Sequence, residues 1–319
     1  MAQELTIQIV GWNSAKHLRQ AARALRSLPD ETVAIRYIDN ASTDDSVAIV
    51  RSLLPQADII TLDKNEGFAG AHNIGFNHCT TPFVLTHDPD LALEWNGLKK
   101  ILDVIKANKN IGAIQGKLYR AETRDNQYVI DSAGIVSTLA LNGRERGANE
   151  ADQGQYNKSA DLWAVTGACG LYRIEALQDA AYNQNEFFDK DFFAYKEDVD
   201  LGWRLNKLGW KVVYEPVLVG THHRTLGRRG LSNWGISPFA IIERLRSPRT
   251  RYSLRNWLWM IVKNVTIWED IKHEIFVDAR LFVFFLLSIV YPPLFPVWGE
   301  TIKGLPKMYE KRIMRSKQT

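Results

Sequence analysis

The sequence predicts an α/β protein: a single Rossmann-like sheet, mixed but mostly parallel, flanked by helices and followed by a helical C-terminal extension. Three observations carry this expectation. Short apolar runs alternate with helix-period segments through roughly the first hundred residues, the arithmetic of βαβ units. Residues able to do chemistry fall just past the predicted strand ends, where open sheets of this kind bind ligands. Beyond residue 225 the charge changes sign, and tryptophan, phenylalanine and arginine interleave.

Taken in order, Leu5 to Val10 reads as a strand, Ala15 to Leu28 as a helix and Val33 to Ile38 as a strand. Asp44 to Leu54 reads as a helix, Ile59 to Leu62 as a strand, Phe68 to Cys79 as a helix and Phe83 to Thr86 as a strand. The turn Gly11-Trp12-Asn13 follows the first strand. Asp39 to Asp45 follows the second; Ser42 to Asp45 suit helix capping, but Asp39 precedes the cap. A carboxylate there can accept from a base N–H or a ribose hydroxyl. After the third strand, Asn65-Glu66-Gly67 to Asn73 offers glycines for close approach and helix-start N–H groups for phosphate. Neither the GxGxxG nor the GxxxxGK[ST] spacing is present. The fourth strand ends in His87-Asp88-Pro89-Asp90. Structurally this is a proline turn opened by Asp; chemically, two acids at the sheet mouth can hold Mg2+ or Mn2+, with water and diphosphate completing the shell.

The densest stretch is Phe187 to His223. Phe187, Phe188, Phe192, Phe193 and Tyr195 lead into Glu197, Asp198 and Asp200 at a predicted helix start that Gly209 terminates. A single acid there is an ordinary cap. Three beside a large aromatic surface are costly unless something cationic or reactive uses them. Trp210 to Tyr214 reads as a short buried strand broken by Pro216, and His222-His223 close the next apolar run, where a histidine is either structural or a metal ligand.

At 319 residues, 45% apolar and 24% charged, the chain is expected to be globular, not disordered. The opening MAQELTIQIVG shows no basic n-region or apolar h-region, so no secretory signal is expected. Cys79 and Cys169 lack metal-site spacing, which points to a reducing cytosolic setting without disulfides. Residues 1–225 carry 24 Lys/Arg against 29 Asp/Glu, whereas residues 226–319 carry 16 against 7. A basic tail with interleaved aromatics favours an anionic membrane surface over nucleic acid, for which no module is visible. Asn142 to Ser159 reads as a loop.

VGWNSAKHL, IDNASTDDS, NEGFAGAHNIGF, HDPDLAL, VTGACGLYRIEAL and FFAYKEDVDLGWRLNKLGWKVVYEP, in this order and spacing, resemble the inverting family 2 glycosyltransferases of the GT-A fold. The branch is similar to the bacterial rhamnosyltransferases that build surface polysaccharide, and RYSLRNWLW at 251–259 is similar to that branch as well. The resemblance implies a catalytic domain over 1–230, with a nucleotide-sugar half at about 1–92 and an acceptor half at about 93–230. Residues 231–319 form the basic, aromatic extension.

The resemblance further implies that Asp39 reads the nucleotide base beside Gly11 and Asn13. Asn65, Gly67 and Asn73 join the nucleotide-sugar site, Asp90 binds the metal, and Asp88 contacts ribose or metal. Many members carry Asn-Pro-Asp where this chain has Asp88-Pro89-Asp90. Thr166, Gly167 and Ala168 line the acceptor pocket, with Asp200 and Trp203 assigned to the same side. Glu197-Asp198 match the motif whose aspartate acts as catalytic base, and His222 or His223 completes the metal site. The implied partners are a dTDP- or UDP-sugar donor and a polyprenyl-linked saccharide acceptor.

The chemistry suits these residue types independently. A divalent cation on the diphosphate makes it a competent leaving group, so one acid cluster suffices there; a separate carboxylate must take the acceptor proton. A sugar nucleotidyltransferase would need a glycine-rich, cationic first loop, which Gly11-Trp12-Asn13-Ser14 is not. A non-catalytic membrane adaptor would not keep both acid clusters. In the extension, Arg244, Arg246, Arg249, Arg251 and Arg255 precede the apolar Trp257 to Val262, and an uncharged run covers Leu281 to Trp298. Pro292, Pro293 and Pro296 leave Leu281 to Tyr291 as helix, about 16 Å or half a bilayer core, so an interfacial anchor on the inner face of the cell membrane is expected and a full span is not. The alternative is that these segments pack on the catalytic domain or on a second subunit as core helices.

Overall fold

The first part of the chain folds as its alternation requires: β1 (Leu5–Gly11), α1 (Ala15–Leu25), β2 (Val33–Asp39), α2 (Ser46–Leu53), β3 (Asp58–Thr61), α3 (Gly67–Asn77) and β4 (Phe83–His87). In this computed structural model residues 2–29, 31–224, 245–265 and 271–316 are described, with the backbone alone at 271, 272 and 316. β1 pairs in parallel with β2 and β4, and β2 with β3, giving the order β3-β2-β1-β4. The chain thus crosses over between β1 and β4, and the crevice at their carboxyl ends receives both Asn13 and Asp88-Pro89-Asp90. Leu5, Ile7 and Ile9 bury against Leu18, Ala22 and Leu25 of α1 on one face, and Thr6 and Gln8 are buried on the other, the two-sided burial expected of parallel strands. α2 starts at Ser46, not Asp44, because the Asp44 carboxylate accepts from Ala15 N and Ser46 N, both at 3.0 Å, and ties two helix starts together.

The second half comprises β5 (Leu91–Leu93), α4 (Trp95–Ala107), β6 (Ile111–Arg124), β7 (Gln127–Ser132), β8 (Ile135–Val136), β9 (Arg144–Glu145), β10 (Ala160–Asp161), β11 (Leu171–Arg173), α5 (Ile174–Ala180), a 3-10 turn (Lys190–Phe192), α6 (Glu197–Lys207) and β12 (Lys211–His222). β11 runs antiparallel between β4 and β6 and makes the ten-stranded sheet mixed. The short strand expected at 210–214 is in fact longer. β12 continues past Pro216 to His222, because register shifts between Tyr214 and Leu218 absorb the residue that has no N–H to donate.

The extension forms α7 (Pro248–Asn264), α8 (Ile271–Val290), a 3-10 turn (Pro292–Leu294) and α9 (Phe295–Ser316). The proposed boundary at 230/231 and Arg244 lie outside the described residues. The helix expected from Leu281 begins at Ile271, since Lys272, Glu274 and Arg280 are good helix formers, and it ends before Pro292. Among the described residues, no helix is long and apolar enough to cross a membrane.

α7 packs on the α/β part of the chain. Trp257 and Met260 are wholly buried in a cluster with Ile135, Leu141, Phe192, Val199 and Trp203. Behind α6, Lys263 stands 3.0 Å from Asp200 and also meets Asp189, while Arg204 pairs with Asp200 at 3.0 Å. Lys311 of α9 reaches Glu186 at 2.6 Å, Asp191 at 2.8 Å and Asp189. Breaking a buried pair from one side leaves an uncompensated charge. Lys263→Met is therefore expected to lower unfolding free energy by about 3–5 kcal/mol in urea titrations, and the exposed Lys303→Met by less than about 0.5 kcal/mol.

Candidate active site

Two strand ends and a bulged strand assemble one polar cluster. Asp88 and Asp90 flank Pro89 between β4 and β5, and β12 pairs with β5 so that His222 lies opposite Leu91. His222 Nε2 is consequently 2.9 Å from Asp90 Oδ1 and 3.7 Å from Asp88 Oδ2. One donor atom from each of the three falls within 4.8 Å of the others. On the far side of the ring, Nδ1 meets Asp131 Oδ2 at 2.9 Å, and Asp131 accepts from Arg224 Nε at 2.6 Å. Burial disfavours the imidazolium, but the hydrogen bonds to Asp131 and Asp90 outweigh it and raise the ring to about 10. Burial also pushes Asp88 up to about 6, against the attraction of His222. Two carboxylates and an imidazole held by an outer carboxylate fit a hard divalent cation, which would take the place of that proton. His223 stands outside the cluster: it follows the last residue of β12, donates its backbone N–H to Asp90 O at 2.9 Å, and lines the same cavity without joining the three donor atoms.

The second cluster stands at the start of α6. Asp198 Oδ2 accepts from Gly167 N at 3.0 Å and Oδ1 from Val199 N at 2.8 Å. Burial raises the Asp198 carboxyl, partly countered by the Gly167 N–H and the Lys196 ammonium. Glu197 is pushed well above its usual range by burial and then by Asp198, and its Oε2 is buried without a hydrogen-bond partner. Asp200 and Trp203, assigned to the acceptor side from sequence, are not there. α6 turns about 100° per residue, so Asp200 lies roughly 200° from Asp198 and faces the interior. There Lys263 and Arg204 hold it below its ordinary range despite its burial. Trp203 packs against Trp163 with ring centroids 5.1 Å apart.

Both clusters line one cavity of about 1020 Å³. One wall includes Trp12, Asn13, Asn40, Asn65 and Gly67, and the far wall Thr166, Gly167 and Ala168. Asn65 Oδ1 accepts from Asn40 Nδ2 at 3.0 Å and from Gly67 N at 2.8 Å, fixing that wall. Asp39 is buried just behind it; Oδ2 accepts from Ser42 N at 3.2 Å, while Oδ1 has no partner. Two expected members lie away from the cavity. Gly11 is required by Tyr37, whose ring would collide with any Cβ. Asn73 is structural: it donates to Phe188 O at 2.8 Å and accepts from Phe187 N and Phe188 N at 3.1 and 2.9 Å, joining α3 to the aromatic run.

The profile described as Glycosyl transferase family 2 matches residues 6–180 of this chain. This chain belongs to glycosyltransferase family 2. Among its relatives, N-acetylglucosaminyl-diphospho-decaprenol L-rhamnosyltransferase of Mycobacterium tuberculosis is 24% identical over 252 residues, covering 70% of this chain and 77% of that protein. Poly-beta-1,6-N-acetyl-D-glucosamine synthase of Staphylococcus aureus is 20% identical over 215 residues, covering 67% of this chain and 48% of the synthase. A TarS fragment of S. aureus aligns at TM-score 0.55 with 14% identity over 99% of this chain and 88% of its own. GalNAc-T7, solved with UDP, GalNAc and Mn2+, aligns at 0.61 with 14% identity over 88% of this chain and 50% of its own. Those likenesses speak for the fold, which is GT-A.

Residues outside the sequence motifs also build this candidate site. Asp131 ends the apolar run YVID, a strand-end acid like Asp88, and was the one most open to detection. Glu145 lines the cavity, raised to about 7 by burial although Ser132 and Arg224 pull it down. Gln115, fully buried in β6, accepts from Thr166 N at 2.7 Å and donates to Ser132 Oγ at 2.9 Å, so it holds the far wall. Arg249 and Tyr252 of α7 also line the cavity, which a reading of the extension as a separate appendage does not foresee.

Proposed function

We propose that this enzyme transfers a sugar, rhamnose by its branch, from a dTDP- or UDP-sugar to a polyprenyl-linked saccharide during cell-surface polysaccharide synthesis, with inversion at the anomeric carbon. The observation that carries this reading is that a cation-type cluster and a separate buried carboxylate pair line the same cavity. The relatives' names support the substrate classes: one acts on N-acetylglucosaminyl-diphospho-decaprenol. Asp88, Asp90 and His222 would hold Mg2+ or Mn2+, which supplies charge stabilisation to the departing diphosphate. Asp131 fixes the His222 ring for that role. Asn13, Asn65 and Gly67 form the nucleotide side, and the unpartnered Oδ1 of Asp39 is suited to a base N–H.

At the other wall, an acceptor hydroxyl near Thr166 to Ala168 attacks C1 as the bond from C1 to the diphosphate oxygen breaks. Its proton passes to Asp198, which the Gly167 N–H orients. Burial that raises the carboxyl makes it a stronger base than a solvated aspartate. Glu197, with a buried unpartnered oxygen, is the second candidate. The split is testable. Asp198→Asn is expected to cut transfer by about 100-fold or more while donor affinity by calorimetry stays near wild type; Asp90→Ala or EDTA is expected to abolish nucleoside diphosphate release. Normal turnover in Asp90→Ala would remove the cation role, and lost donor affinity in Asp198→Asn would shift the base to Glu197.

We also propose that α8 and α9 rest on the inner face of the cell membrane. Ile275, Phe282, Leu286 and Ile289 of α8 share an exposed face, with Phe295 and Ile302 exposed on α9. Arg246 and Arg251 lie in or beside α7, Arg251 half-exposed beside Glu300, and offer cations suited to anionic headgroups. A truncation cannot test this, because α7 and α9 supply Lys263 and Lys311 to the catalytic half. Instead, intact protein is expected to float with anionic liposomes, and Phe282→Asp/Leu286→Asp to remain in the soluble fraction with its thermal stability kept. Flotation of the double variant, or none of the wild type, would end the idea.

A further inference from the structure

The helix that bears Glu197 and Asp198 starts in backbone that L-residues avoid. Phe193 has φ 64 and ψ −62, and Ala194 N donates to Phe192 O at 2.7 Å, which together make a γ-turn of the strained hand. Tyr195 at φ 72 and Lys196 at φ 77 follow in the left-handed region. None of the three is glycine. Such conformations persist only where the surroundings over-determine them, and they cluster where geometry matters to function.

The surroundings come largely from α7. Asn256 is wholly buried and aims its amide nitrogen at the carbonyl oxygens of Phe192, Ala194 and Tyr195, at 2.9, 2.9 and 2.7 Å. Its own oxygen accepts from Arg255 Nε at 3.0 Å, which fixes the amide with its donors towards the turn. Arg255 Nη2 adds bonds to Asp191 O at 3.2 Å and Phe192 O at 3.1 Å, and the Tyr252 ring stacks on Phe193 at 5.5 Å. From the opposite side, Phe193 O accepts from Ala69 N at 3.1 Å, in space that a side chain at Gly67 would fill.

We propose that Asn256 is a positioning residue for sugar transfer: by gripping the carbonyls of the 192–195 turn from outside the cavity, it sets where Glu197 and Asp198 stand within it. The inference rests on the reading of Asp198 as base. Only a donor-bearing side chain satisfies these carbonyls; an apolar residue leaves them unpaired, and a carboxylate repels them. The amide does not line the cavity, so donor and cation binding do not pass through it. Misplacement of a catalytic group by about 1 Å costs on the order of 100-fold in rate.

The test compares Asn256→Ala and Asn256→Ser with Met260→Ala, a control one turn further along α7 that is equally buried but makes no bond to the turn. In full-length protein, Asn256→Ala is expected to lower kcat for transfer by about 100-fold with donor Kd by calorimetry near wild type. Asn256→Ser, which keeps one donor, is expected to fall between, and Met260→Ala to retain kcat at a comparable loss of Tm. Wild-type kcat in Asn256→Ala, or an equal loss of kcat in Met260→Ala, would overturn the proposal. Should Asn256→Ala not fold, Asn256→Ser against Met260→Ala decides by the same criteria. A wrong base assignment is told apart by Asp198→Asn: transfer retained there refutes the base, whereas an inactive Asp198→Asn beside an active Asn256→Ala refutes only the positioning role.

Discussion

Buried carboxylates behind α6 are the constraint to which much of the molecule answers. Asp200 is fully buried, yet Lys263 and Arg204 hold its carboxyl below the ordinary range, and the equally buried Asp189 beside it pairs with Lys263 and Lys311. Two of those three cations belong to the extension, which is why α7 and α9 cannot leave without exposing uncompensated charge in the core. The same helix presents Glu197 and Asp198 to the cavity on its other side. The extension therefore fixes the rotation of the helix that delivers the candidate base, and it does so through charge as well as through the apolar packing of Trp257.

The cavity then separates two electrostatic duties. Near β4 and β12, Asp88 and Asp90 concentrate negative charge beside His222, where a proton on the ring balances it and a divalent cation could do so instead. Near α6, Asp198 and Glu197 are lifted by burial, so a proton acceptor sits in a drier place than bulk water offers. A displacement reaction needs these duties apart, because a single pool of carboxylates would be claimed by the cation. The wall of Thr166 to Ala168 joins the two regions, with Gln115 holding it from beneath and Asp198 from the side.

What the sequence revealed was what local chemistry determines. Asp88 and Asp90 follow a strand, Glu197 and Asp198 open a helix, and both facts stand in a few consecutive residues. The choice of His222 over His223 depended on the register of β12 after the Pro216 irregularity, which no local pattern encodes. Asp200 and Trp203 follow Asp198 closely in sequence, but the helical period turns them inward. Asn73 stands in the glycine-rich segment after β3, but its partners are Phe187 and Phe188, far along the chain. Asn256 was visible only as one letter of RYSLRNWLW; its meaning lies in carbonyls about sixty residues earlier.

The central claim is a single displacement between a diphosphate held at the Asp88, Asp90 and His222 wall and an acceptor deprotonated at the Asp198 wall. The anomeric configuration of the first product tests this most directly, read from the one-bond carbon–hydrogen coupling at C1 by NMR and compared with that of the dTDP- or UDP-sugar donor. The account predicts inversion. A product that retains the donor's configuration would contradict it, because retention requires either a second displacement or attack from the leaving-group side.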